Sequence, residues 1–484
     1  MRYVGIETHI RLIMQRDESS TFAHTSRRLG TRDHLRGSLV ALAITLIAPF
    51  SGAAIAQPYT QIAAGELHTC ALLGSGAVHC WGDNFRGQLG NGGIGSGQES
   101  PSPVRVLGLS AAVNIATGTS HSCAALRDGR VQCWGYNFRG QLGDGSTTSS
   151  GIPVLVASVT DAIAVAAGGD HSCALRHGGG VKCWGYNGDG ELGHGGSEFF
   201  LTSPVDVAGI STATAISARH LHTCARLTDS TLRCWGNNSN GQLGDGTFTS
   251  PRRIPVAPRS LGGVSHLSTG WLYTCVVLQF DGSVQCWGEN GFAQLGNGGT
   301  TDSNSPGSAI VLPSGGAALV AAGENHTCVR MTDLRARCWG QSNDGKLGRG
   351  IVPAFTANTA ELVLGNLPLA AISNGRNHSC ALTAEGSAMC WGRNDKGQLG
   401  NGRYASGGDN HWVPLFTLPR CELDIDGNGQ LDAATDGVLA ARAMLGMSGT
   451  AVTSGALGNG ATRTTWNQIR NFLIRACGVA GLAP

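Results

Sequence analysis

Cysteine and histidine are the residues of this chain whose types and spacing could do chemistry. Of 484 residues, 16 are cysteine and 15 histidine, and fourteen of the cysteines fall into pairs. The pairs are Cys70/Cys80, Cys123/Cys133, Cys173/Cys183, Cys224/Cys234, Cys275/Cys286, Cys328/Cys338 and Cys380/Cys390, six of them ten residues apart and one eleven. The midpoint of the second pair is Asp128, in the dipeptide Asp128-Gly129. Asp-Gly between apolar residues is a hairpin signal, so the two cysteines face each other across paired strands. Residues opposed in this way bring Cβ atoms to ~4.5–5.5 Å, close to disulfide reach. Each bridge would add roughly 2–3 kcal/mol by closing a short loop. The competing state is seven pairs of reduced thiols buried as small apolar residues. Zinc fails on spacing, because the chain has no Cys-x-x-Cys motif.

Six histidines, His68, His121, His171, His222, His326 and His378, stand two residues before the first cysteine of a pair. Six equivalent imidazoles could form a metal or catalytic crown. A residue that recurs once per repeat is more simply a requirement of the fold, and the expectation is a hydrogen bond tying each repeat to itself.

A third constellation lies near the C-terminus. Asp424, Asp426, Asn428, Gln430 and Asp432 place oxygen ligands at alternate positions around Gly429, with Asp436 one residue beyond the twelfth position, which is Thr435. That is the logic of a calcium loop, with glycine for the sharp turn. Helical patterns follow over 437–445 and 465–476. Cys421 and Cys477 flank the segment, and bridging them would staple its ends. It resembles half of a dockerin or EF-hand-like module, which implies Ca2+ as a ligand. The displaced acid implies a bulged or weak loop.

No His-Glu-x-x-His, Gly-x-Ser-x-Gly or Walker loop occurs. A Gly-x-Gly-x-x-Gly string at 90–95 is followed by no helical pattern and is a chance match. The expectation is a protein that is not an enzyme.

The elements that position these residues come from a repeat. Cys-Trp-Gly occurs seven times at successive gaps of 53, 50, 51, 52, 52 and 52 residues. Each copy follows a Cys-Ala-Leu type strand and precedes a Gly-Gln-Leu-Gly type turn. Four short strands per unit of about fifty residues make the blade of a propeller. The expected fold is therefore all-β: a seven-bladed β-propeller of four-stranded blades, plus a small C-terminal α-helical calcium-loop module. Blades are expected near 59–108, 109–158, 159–208, 209–259, 260–313, 314–367 and 368–418, and the module over 421–477. The tryptophan of each Cys-Trp-Gly should fill the core between blades.

The landmarks Ala64-Gly65-Glu66-Leu67-His68, Trp81-Gly82-Asp83-Asn84 and Gly87-Gln88-Leu89-Gly90 resemble the regulator-of-chromosome-condensation (RCC1-like) repeat, from about Tyr59 to Leu418. Blade 4 departs with Ser217-Ala218-Arg219, blade 5 with Tyr273 at the histidine position and blade 6 with Lys346 for glutamine.

Residues 1–56 read as a secretory signal peptide with a long basic n-region: arginines at 27, 28, 32 and 36, an apolar run over 39–49, and Ala54-Ile55-Ala56 as the cleavage site. This leader holds seven arginines and four acids, so its removal from 34 basic and 32 acidic residues leaves 27 and 28, a net charge of −1. A near-neutral chain without basic clusters argues against nucleic acid. No later segment could span a membrane. Export and an even cysteine count favour bridges.

Binding would sit where repeats differ. The residues before each Gly-Gln-Leu-Gly turn vary: Phe85-Arg86, Phe138-Arg139, Gly188-Asp189, Ser239-Asn240, Gly291-Phe292, Asp344 and Asp395-Lys396. Of these, Phe85, Arg86, Phe138, Arg139 and Phe292 are the expected anchors on one rim. Trp271, Tyr273 and Trp412 are further aromatic departures. The expected function is a monomeric, secreted (extracellular or periplasmic) scaffold that binds a protein partner and calcium. Guanine-nucleotide exchange on a small GTPase, implied by the resemblance, and inhibition of a secreted enzyme are the alternatives.

Overall fold

The structure is a computed structural model that describes residues 58–414, apart from 311, 313–314, 351–355 and 364–366, together with Thr465 and Ile469. The leader expected over 1–56 lies outside the described residues. So does the module expected over 421–477, with its calcium ligands, Cys421 and Cys477, but for those two isolated positions.

Seven antiparallel sheets follow one another along the chain. In blade 1 the strands are Tyr59–Ala64, His68–Leu73, Val78–Gly82 and Ser100–Arg105, hydrogen-bonded in that order. The other sheets span 112–155, 162–206, 213–256, 264–288, 317–362 and 369–414. The first strand of each blade packs on the first strand of the next, and that of blade 7 packs on that of blade 1, so these strands line a central axis. The described residues form a closed seven-bladed propeller. Among the described residues no helix is long and apolar enough to cross a membrane.

Burial follows position in the blade. In blade 2 the second strand, His121–Leu126, is buried throughout, while the fourth, Ser150–Leu155, has only one buried residue. A middle strand is covered on both faces by neighbouring blades, and the outer edge is not. Prolines therefore sit in the fourth strands (Pro101, Pro103, Pro153), where a missing N–H faces solvent.

Blade 5 corrects the expectation of four strands everywhere. Its sheet has three, and the fourth position is held only by isolated bridges from Gly288 to Ser303 and from Val284 to Ile310. Pro306 and Gly307 lie between those bridges, one without a donor and the other without a side chain to pack.

All seven cysteine pairs are disulfides: Cys70–Cys80, Cys123–Cys133, Cys173–Cys183, Cys224–Cys234, Cys275–Cys286, Cys328–Cys338 and Cys380–Cys390. Their Cα atoms are 4.1 Å apart. The competing state of reduced, buried thiols is thereby set aside for these fourteen. Every pair is directly opposed in register, Cys275 and Cys286 included, because the extra residue of blade 5 is absorbed in the hairpin turn.

The sulfurs lie inside the cores between blades, and none of the fourteen cysteines is more than 4% exposed. Cys80, Cys133, Cys183, Cys234, Cys338 and Cys390, each next to the blade's buried tryptophan, are shut off from solvent completely. As the sequence reading expects, these cysteines are structural staples, and Cys183, Cys234, Cys338 and Cys390 are fully buried in the folded ring. The physical reason is that the third strand, like the second, is covered on both faces by adjoining blades.

Each tryptophan of a Cys-Trp-Gly is fully buried against the preceding blade. Its indole N–H donates to the backbone carbonyl of that blade's Gly-Gln-Leu-Gly turn: Trp134 to Gln88 (2.9 Å), Trp184 to Gln141 (2.9 Å), Trp287 to Gln242 (3.0 Å). Gly143 leaves room for this packing, since a Cβ there would sit 2.6 Å from the Trp184 indole nitrogen. The seam between blades 7 and 1 uses the same joint, Trp81 to Gln398 (2.9 Å).

Histidine completes the joint, and here the structure corrects the sequence reading. Each imidazole ties its blade to the next one, not to itself. His68 Nε2 lies 2.9 Å from Ser122 Oγ, His121 2.8 Å from Ser172, and His378 2.8 Å from Thr69 across the seam. The Ser122 hydroxyl donates to the Gln88 carbonyl (3.1 Å), so it must accept from His68 Nε2–H. That fixes the neutral Nε2–H tautomer. In blade 5 Tyr273 takes over, its hydroxyl donating to the His326 carbonyl (2.6 Å) and lying 3.0 Å from Thr327 Oγ1.

Candidate interaction face

Successive strands of a blade alternate in direction, so the loop after the first strand and the loop after the third lie at the same end. The face they share carries a ring of variable loops around a central cluster.

The recurring residues of each third-strand loop act as a mount. Asn84 Oδ1 accepts from Leu89 N (2.9 Å), and the same clamp recurs in Asn137, Asn238, Asn290 and Asn394. The glutamine side chain then holds the backbone of the residue two positions earlier. Gln88 Oε1 accepts from Arg86 N (2.8 Å) and Gln141 Oε1 from Arg139 N (2.9 Å). The repeated glutamine thus fixes the very residue that varies, while its carbonyl carries the neighbouring tryptophan.

On blades 1–3 this mount presents an alternating row of arginine and aromatic rings. The Arg86 guanidinium lies 5.1 Å from the Phe85 ring, 4.8 Å from Tyr136 and 5.7 Å from Phe138. Arg139 lies 5.4 Å from Tyr186 and 4.6 Å from Phe199. Phe85, Phe138 and Phe199 are each about half exposed, at 49%, 57% and 53%. Among the described residues neither guanidinium makes a hydrogen bond or ion pair. Four of the five expected anchors therefore form one patch. Phe292 does not join it: it is half-buried on blade 5, its N–H held by Gln294 Oε1 (2.9 Å). Tyr136, Tyr186 and Phe199 were missed in the sequence, though the tyrosines mark the Trp-Gly-x-Asn variable position.

The centre of the face is closed. Blade 4 has Arg219 where other blades have glycine, because its loop tightens to a hairpin turn with His220 at φ 45° and Arg219 opposite His222. Elsewhere a side chain is forbidden: a Cβ on Gly168 would lie 2.1 Å from the His171 ring. Arg219 Nη1 reaches across the axis to the Asn374 carbonyl of blade 7 (2.7 Å). Arg376 joins Glu66 of blade 1 to Glu324 of blade 6 (3.1 Å to the latter), and the His220 ring stacks on Trp271 at 3.8 Å. Glu66, Arg219, His220 and Trp271 line a cavity of about 10 Å³, room for one water. A wider concavity of about 370 Å³, formed by the turn after the second strand of blade 2 at the other end of the strands, is lined by Arg127, Asp128 and Arg130, of which Asp128 and Arg130 pair with each other (2.7 Å).

Comparison with known proteins agrees with this geometry. Residues 28–352 match the RCC1-like domain, and residues 370–398 match the regulator of chromosome condensation (RCC1) repeat. The chain belongs to the RCC1-like domain family. This RCC1-like chain is 29% identical to the Arabidopsis thaliana ultraviolet-B receptor UVR8 over 71% of its own length and 67% of UVR8. It is 34% identical to the human probable E3 ubiquitin-protein ligase HERC6 over 60% of its length, and so spans about a quarter (24%) of that protein. Yeast RCC1 (Prp20), in its complex with Kap60, shares the fold at TM-score 0.61 and 20% identity, over 74% of this chain and 84% of that one. Human WBSCR16 does so at TM-score 0.60 and 21% identity, over 68% and 88%.

Two RCC1-like landmarks are altered with consequence. Lys346, in the glutamine place of blade 6, donates Nζ–H bonds to Gln341 Oε1 (2.6 Å) and Asn377 Oδ1 (2.8 Å), and burial draws its ammonium down to about 8. Glu191, in that place in blade 3, is fully buried, and burial pushes its carboxyl up to about 8. Trp412 falls in the last strand, Ala405–Pro414.

Proposed function

We propose that this RCC1-like chain is an exported protein-interaction scaffold whose contact surface is the arginine–aromatic row of blades 1–3. One observation carries the reading: the Arg86 guanidinium lies 5.1 and 5.7 Å from the half-exposed rings of Phe85 and Phe138, that of Arg139 lies 4.6 Å from Phe199, and neither makes a hydrogen bond or ion pair among the described residues. Aromatic and arginine side chains on a rigid support are the commonest energetic centres of protein interfaces. Yeast Prp20 has been crystallised bound to Kap60, and Prp20p has been studied for its binding to Gsp1p and histones, so the fold supports such a role. Export is supported by the leader pattern and by seven disulfides, which persist in oxidising compartments. The role is binding, not catalysis.

The calcium loop at Asp424, Asp426, Asn428, Gln430, Asp432 and Asp436 is part of the same reading, resting on its ligand pattern. Terbium luminescence of the whole chain and of Asp424→Ala tests it; equal signals from both would remove calcium from the account.

The scaffold reading is tested by photocrosslinking from position 199, in the same patch, in the exported chain. A crosslinked partner that is lost from Phe85→Ala/Phe138→Ala but retained by Asn240→Ala, on blade 4 outside the row, is expected. Retention by both variants would refute the rim as the contact surface.

A further inference from the structure

The rim is unequal in charge. At the position two residues before each loop's glutamine or its replacement, blades 7, 1 and 2 carry Lys396, Arg86 and Arg139, while blades 3 and 6 on either side carry Asp189 and Asp344. Lys396 and Arg139 are partly answered within the chain at longer range, since their charges favour the ionised forms of Asp83 and Asp170. Among the described residues, neither Arg86 nor Arg139 has a carboxylate in direct contact. Other structured arginines near an acid are paired, as in Arg252–Asp245 at 2.7 Å and Arg393–Asp395 at 2.7 Å.

Cation–π attraction to the rings, 4.8 Å from Arg86 to Tyr136 and 4.6 Å from Arg139 to Phe199, decides how the two guanidiniums can be used. A guanidinium over aromatic rings keeps its N–H groups in its own plane, pointing away from the faces it covers. Those edges match carboxylate oxygens in bidentate geometry. The rings also hold the side chains still, which lowers the ordering cost that a flexible arginine pays on binding. Between the two cations stands Phe138, exposed by 57%, an apolar step between two acid-seeking ones.

Resting on the scaffold reading above, we infer that blades 1 and 2 bind an extended acidic segment of a protein partner. Its carboxylates sit on the edges of Arg86 and Arg139, and apolar side chains between them lie on Phe85 and Phe138. The flanking acids, Asp189 and Asp344, disfavour the same segment on blades 3 and 6, so the charge difference sets where it docks.

The experiment uses the full chain and fluorescein-labelled twelve-residue peptides in which Glu or Gln alternates with Phe, read by anisotropy across a salt series. The Glu peptide should bind at least tenfold tighter than the Gln peptide and weaken as salt rises. Arg86→Ala/Arg139→Ala should remove that tenfold preference, and Arg86→Lys/Arg139→Lys should restore only part of it; unchanged thermal melts show both variants folded. Equal binding of Glu and Gln peptides, lost in Phe85→Ala/Phe138→Ala, would overturn the acidic specificity and leave the scaffold reading standing. A heparin or single-stranded oligonucleotide probe that outcompetes the Glu peptide would reassign the surface to a polyanion. No binding of any peptide together with no rim crosslink would sink both readings.

Discussion

The Trp134 indole N–H and the Ser122 hydroxyl converge on one acceptor, the backbone carbonyl of Gln88, at 2.9 and 3.1 Å. The two donors come from blade 2 and the acceptor from blade 1, so a single carbonyl oxygen holds two sheets together. Trp134→Phe removes one donor and opens space in a close-packed core. It should cost about 2–4 kcal/mol in urea unfolding, whereas Trp271→Phe, half-buried at the axis, should cost less than about 1.5 kcal/mol. Equal losses would contradict the joint.

Acid should dismantle the ring. Burial holds His68, His171, His222 and His378 down to about 3 and His121 to about 4, with His326 also lowered. These groups stay neutral in the folded chain while the unfolded chain takes up protons below about 6.5. Their stabilisation is complete above that value and falls as pH drops towards 3, by about 1.4 kcal/mol per histidine per pH unit. Cooperative loss of tryptophan fluorescence between pH 6 and 4 is expected. A chain stable to pH 3 would show that the imidazoles titrate as exposed ones do.

Glu191 has the opposite sign. Its carboxyl is raised to about 8, so between about 4.3 and 8 the unfolded chain is ionised and the folded one is not. Stability is then lost as pH rises through that window. Glu191→Gln should raise the unfolding midpoint at pH 7–8, by roughly 1–3 kcal/mol, and leave it unchanged near pH 4. A variant equal to the parent at both pH values would place the carboxylate in contact with water.

The disulfides should resist reductant until the fold opens. Cys123 and Cys133 are fully buried, as are Cys183, Cys234, Cys338 and Cys390, so a thiolate cannot reach their sulfurs in the native chain. Mass spectrometry after alkylation should find no modified cysteine among the seven pairs at millimolar dithiothreitol, and fourteen once urea is added. Modification at the same rate without urea would mean that single blades open on their own.

Much of this was legible in the chain because a repeat reports the same geometry seven times. The register of Cys70 on Cys80 follows from a ten-residue spacing around a turn, and Trp81 is large and apolar enough to demand a core. The histidines were misassigned because a period shows that His68 recurs, not which blade its Nε2 meets. Departures from the repeat were visible, yet their effects depend on distances across the ring. Arg219 reads as a lost glycine, and only the closed axis shows that its guanidinium reaches Asn374. Phe292 looked like Phe85, but the blade 5 loop has Ala293 at φ 60° in the glycine place, and Phe292 is half-buried there.

The seam between blades 7 and 1 has one more implication. It is made by Trp81 on Gln398 and His378 on Thr69, the same joint as inside the chain, with no strand exchanged between the ends. The ring consequently has no privileged starting point. A circularly permuted propeller that opens in the outer loop between two blades, and fuses 414 to 58 through a short linker, would keep all seven joints.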